Sequence, residues 1–147
     1  MALAAEDAAH RVEQLIRLTE RLTELVARAA QAFENRRPQD AATFAEETAR
    51  LANLYRHEAA RVRGEPGVVA GAPLAARTRL VRATEAFDAV LARQGRALEA
   101  AKTVTEGLVR AIAEEVSVHR AKTNNYGPDA TTYSAGCATA ITLNRRA

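Results

Sequence analysis

From Leu74 to Lys122 no proline occurs, and apolar or small residues return at alternating gaps of three and four. Thr84, Phe87, Leu91, Gln94, Leu98, Ala101, Thr105, Leu108, Ile112, Glu115 and His119 keep that spacing throughout. Side chains three and four apart share one face of an α-helix, so the pattern predicts one long amphipathic helix over about 74–122. Pro73 stands where a helix readily begins. At 1.5 Å per residue such a helix is about 70 Å long. Gly95 and Gly107 interrupt good helix formers, each at a cost of about 1 kcal/mol, and mark where the helix could bend.

Two shorter segments precede it. Over about 4–35, Leu15, Leu18, Leu22, Leu25, Ala29 and Ala32 form a 3-4 seam that Ile16, Val26 and Phe33 widen. Pro38 disfavours helical geometry in the residue before it and so closes this helix; Asp40 is a candidate cap for the next. Over about 39–63, Phe44, Thr48, Leu51, Tyr55, Glu58 and Val62 make the matching stripe, with Tyr55 expected in the core. The short connection predicts an antiparallel hairpin. Gly64 to Pro73, with three glycines and two prolines, is the clearest break in the chain.

The fold class expected is therefore all-α: a helical hairpin packed on one long helix, a three-helix bundle or coiled coil over 1–122. An irregular tail, flexible or partly ordered, follows over 123–147. Composition agrees, since hydrophobic residues make up 48% of 147 residues but aromatics only 4%, so alanine and leucine dominate. No period-2 run of strand formers competes.

Charge and cysteine narrow the function. The net charge of +3 and pI near 9.5 raise nucleic-acid binding, but acid and base alternate along the helices. Glu13 with Arg17, Glu24 with Arg28, Glu46 with Arg50 and Glu106 with Arg110 stand at i,i+4, the spacing of solvent-facing pairs. A nucleic-acid binder concentrates base on one stripe, so none is expected as a partner. The single Cys137 fits a reducing compartment. No apolar run reaches the ~18 residues of a membrane span, and the start of the chain lacks the basic and apolar regions of a secretory signal. A cytoplasmic location is expected, without membrane insertion.

Catalytic constellations are not legible. His10, His57 and His119 lie on separate segments, and Glu115 with His119 lacks the repeated Glu-x-x-His of a di-iron bundle. One cysteine allows no familiar zinc spacing, and Gly64, Gly67 and Gly71 lack the Lys-Ser/Thr ending of a phosphate loop. Neither Ser117 nor Ser134 sits in a nucleophile elbow. No enzyme, metal or cofactor is expected. What stands out is length: a hairpin of shorter helices cannot cover the long one, whose seam turns polar at Gln94, Thr105, Glu115 and His119. Either the extra turns only meet solvent, or they keep a stripe for another helix, from a partner or a second copy of the chain.

Leu51-Ala52-Asn53-Leu54-Tyr55-Arg56-His57-Glu58, the helix from Ala83-Thr84-Glu85-Ala86-Phe87 to Ile112-Ala113-Glu114-Glu115-Val116, and Tyr126-Gly127-Pro128-Asp129 together resemble the FlgN-like family of bacterial flagellar assembly proteins. More narrowly they resemble a group of short flagellar proteins. The resemblance covers the chain from about Leu15 onward. It implies a cytoplasmic chaperone of flagellar type III export that binds the terminal helices of hook–filament junction subunits and brings them to the export apparatus. It places the client surface on Leu98, Ala101, Thr105, Leu108, Ile112 and Val116, with Tyr126 and Tyr133 as anchors in the tail.

Overall fold

The structure, a computed structural model, describes residues 7–124. Among the described residues there are five helices and no strand: α1 (Ala8–Glu34), α2 (Pro38–Ala42), α3 (Ala45–Gly64), α4 (Gly67–Ala70) and α5 (Leu74–Asn124). The all-α expectation holds. The expected tail lies, from residue 125 on, outside the described residues, and Tyr126 and Tyr133 lie there with it.

α1 supplies the core. The Asp7 carboxylate accepts the His10 amide at 2.7 Å and caps the start. Its predicted seam, Leu15, Leu18, Leu22, Leu25, Ala29 and Ala32, is buried along its whole length. Burying side chains such as Leu22 and Leu25 contributes about 1.5–3 kcal/mol each. The end is a Schellman turn: the Arg37 amide donates to the Ala32 carbonyl and the Arg36 amide to the Phe33 carbonyl. Arg36 occupies the left-handed position, φ 58°, that glycine usually fills.

Where one helix was expected over 39–63 there are two. Pro38 opens α2 at its first turn, and Asp40 pairs with Arg37 at 3.1 Å instead of capping. The break falls at Thr43–Phe44, where the Thr43 hydroxyl donates to the Asp40 carbonyl and Arg28 of α1 lies 4.8 Å above the Phe44 ring. α3 then runs antiparallel to α1, as Arg11–Glu58 and Arg21–Glu47 show at its two ends. α5 runs parallel to α1, with Glu13 on Arg79 and Glu34 on Arg93.

Two apolar clusters join these helices. Val12, Ile16 and Ala72 pack with Val69, Ala76 and Leu80, so the Gly/Pro segment contributes to the core through α4. Leu22, Val26 and Phe87 pack with Leu51, Tyr55 and Val90. The Tyr55 and Phe87 rings meet edge to face at 5.1 Å, which places Tyr55 where the stripe predicted. Burial and the nearby Asp88 carboxylate raise the Tyr55 phenol pKa, against a hydrogen bond with Thr84.

Pairs within one helix occur, such as Lys102–Glu106 at i,i+4 and Arg21–Glu24 at i,i+3, but the two-pronged ones run between helices. Glu13 goes to Arg79, Glu47 to Arg21 and Glu34 to Arg93, each as a two-pronged arginine–carboxylate fork between helices. These charges set the register of one helix against another instead of decorating one helix.

The chain divides at Leu108/Val109 into two units. The core described above belongs to the first. In the second, every residue from Val109 to Thr123 is exposed. α5 continues as one helix through Gly95 and Gly107.

Candidate partner-binding surface

In the first unit the α5 face turns gradually out of the core. Phe87 and Ala97 are buried, with Val90 and Gln94 half-buried between them. Val90 and Ala97 thus take the places expected of Leu91 and Leu98, and each of those leucines is 42% exposed. A regular α-helix drifts from a strict seven-residue repeat, so the buried seam need not follow the a/d row. Ala101 is half-buried, Thr105 is exposed with its hydroxyl donating to the Ala101 carbonyl at 3.0 Å, and Leu108 is 60% exposed.

Where α1 stops, α5 and the Schellman turn enclose a cleft of about 680 Å³. Phe33 and Pro38 form one wall; Leu98, Ala101 and Val104 form the other, with Ala97 between. Arg36 and Lys102 lie at the same cleft. Glu34 also lines it and is held by the Arg93 fork, at 2.6 and 2.8 Å. The Arg93 hydrogen bonds keep the Glu34 carboxyl below the usual glutamate range, despite some desolvation. The cleft is therefore mostly apolar in its walls and suited to receiving apolar side chains.

The sequence-predicted residues divide between the units. Leu98, Ala101, Thr105 and Leu108 belong to the first; Ile112 and Val116, at 55% and 45% exposure, belong to the second. The seam reading missed Val104, Val109 and Val118, which are exposed as well. They stand one position off the 3-4 row, and only a count over a broader stripe would have found them. The histidines stay apart: His10 meets Gln14, His57 lies 3.6 Å from Glu58, and His119 meets Glu115 at 3.2 Å. Among the described residues no group of three metal-ligating side chains comes together, and no helix is long and apolar enough to cross a membrane.

Fold and surface define the class: an all-α protein whose longest helix keeps large apolar side chains in solvent. The chain is 60% identical to the flagellar basal-body protein FlbY of Caulobacter vibrioides, with the whole of both chains covered, and it belongs to that family of flagellar proteins. No protein-family profile matches the chain, and no solved structure matches it.

Proposed function

We propose that this protein is a non-enzymatic flagellar assembly factor, a cytoplasmic export chaperone that holds the terminal helices of hook–filament junction subunits. The observation that carries the reading is the cleft at the end of α1, with the exposed Leu98, Val104 and Leu108 beside it. A helix-binding groove needs apolar pockets at i, i+3/i+4 and i+7 spacing along a rigid wall. α5 offers Leu98, Ala101, Thr105 and Leu108 at that spacing, and α1 ends where a further helix would lie. A client helix that would otherwise self-associate buries its stripe there. The client class is what the FlgN-like resemblance implies, and membership in a flagellar family supports a role in flagellar assembly.

Light-scattering mass on a size-exclusion column, with and without purified hook–filament junction subunits, tests this. A discrete complex is expected, weakened about tenfold or more by Leu98→Asp with Val104→Asp, since each buries a charge in an apolar contact. Far-UV circular dichroism should stay unchanged, because neither side chain is in the core. A failure to bind the subunits, or binding indifferent to these substitutions, would refute the proposal.

A further inference from the structure

Among the described residues Arg36 is the one non-glycine with a positive φ, at 58°, in the Schellman turn that ends α1. Both hydrogen bonds of that turn join backbone atoms, so glycine would form it with less strain and nothing in the turn calls for a guanidinium. Backbone strain of this kind gathers at ligand clamps and switch regions, where the strained residue has a use. The Arg36 side chain is exposed at the cleft that Phe33 and Pro38 share with Leu98, Ala101 and Val104. Among the described residues no carboxylate pairs with it: Glu34 is taken by Arg93, and Asp40 by Arg37. Lys102 is a second cation at the cleft, and its Nζ reaches Glu106 only at 3.9 Å, with both side chains well exposed. Glu99 and Glu106 are the acids of this stretch of α5. Spacing at 100° per residue puts them about 160° and 140° around the helix from Ala101, away from the cleft.

We infer that the cleft takes an acidic amphipathic helix from a partner protein, with a carboxylate beside its apolar stripe held by Arg36. The stripe lies against Phe33, Ala101 and Val104, and Lys102 on the α5 wall attracts acids on the other flank. This rests on the reading of the cleft as a helix-capturing surface, and adds the charge that the captured helix must carry. An arginine at the edge of an apolar contact offers a carboxylate a planar, two-pronged fork. A pair at the rim governs partner choice and encounter, since a helix with lysine or arginine on its flanks meets like charge at both walls. A second copy presenting the same cleft would likewise set cation on cation. Nucleic acid offers negative charge too, but two cations set against mostly aliphatic walls make a poor track for a phosphate backbone.

Selection on the full chain from a displayed library of alanine-based helical peptides, with a fixed leucine stripe and randomised flanks, tests this. Peptides carrying Asp or Glu beside the stripe should be enriched. A synthetic peptide from that set should bind Arg36→Glu about tenfold or more weakly by fluorescence anisotropy, and Arg36→Glu should in turn select Lys or Arg flanks. Arg36→Gly separates the charge from the fold. It should weaken the same peptide while raising the thermal midpoint by about 2–4 °C, through relief of the left-handed strain. An absence of enriched peptides overturns the inference, as do neutral or basic winners, or an affinity indifferent to Arg36→Glu. A dimer of the chain alone that Arg36→Glu dissociates would make a second copy the occupant and overturn it as well. So would single-stranded DNA that outcompetes the peptide at physiological salt. Junction subunits are read separately. If they lose binding with Leu98→Asp and Val104→Asp but keep it with Arg36→Glu, client capture stands and the acidic helix falls. If acidic peptides bind and junction subunits do not, the acidic helix stands and the client class falls.

Discussion

Glu58 is the residue whose place runs most against its chemistry. It is wholly buried between α3 and α1, with Arg11 Nη1 at 3.5 Å from its carboxylate and His57 Nδ1 at 3.6 Å. Taking a carboxylate and a guanidinium out of water costs several kcal/mol per ion, so the pair contributes little net stability, while an orphaned member is expensive. Glu58→Ala should therefore destabilise the protein by about 3–5 kcal/mol. Arg11→Met with Glu58→Met, which removes both charges and fills the volume, should come within about 1 kcal/mol of the parent or exceed it. Urea denaturation at unchanged m-value measures both, and a single variant that costs as little as the double would contradict the account. Sequence reasoning put Glu58 on the buried stripe of α3 but could not assign its partner, because Arg11 lies 47 positions earlier.

At the scale of elements, α5 shows which parts of the fold sequence pattern can and cannot specify. α1 was legible along its row of leucines and alanines, although Val12, Thr19 and Ala30, outside that row, are buried as deeply. α5 carries two adjacent rows, Leu91 and Leu98 beside Val90 and Ala97, and periodicity alone does not choose between them. The packed neighbours choose: Leu22, Val26 and Tyr55 gather around Phe87 and Val90, and the smaller row goes inward. The break of the second helix at Thr43–Phe44 was likewise hidden, because no glycine or proline marks it and the Arg28 contact there comes from another helix. The glycines of α5 were legible as weak points, and a Cβ at Gly95 or Gly107 meets no atom within 4 Å. Gly95→Ala and Gly107→Ala should thus each stabilise the helix by about 0.5–1 kcal/mol, through propensity alone. Thermal unfolding monitored at 222 nm checks this, and a loss of stability would mean that a glycine is needed for a bend or a close approach.

For the whole molecule, the two units differ in what holds their helix together. α1, α3 and α5 up to about Ala101 share buried side chains, so opening them requires breaking the core. Residues 109–123 have every side chain exposed, and a helix of about 15 residues in water is marginal without tertiary contacts. Amide exchange follows the free energy of local opening, so protection should be high along α1 and low from Val109 to Thr123. The difference between α1 and residues 109–123 should span about two orders of magnitude or more in exchange rate, equivalent to about 2.7 kcal/mol. Uniform protection along the chain would show that residues 109–123 draw stability from contacts beyond their own helix.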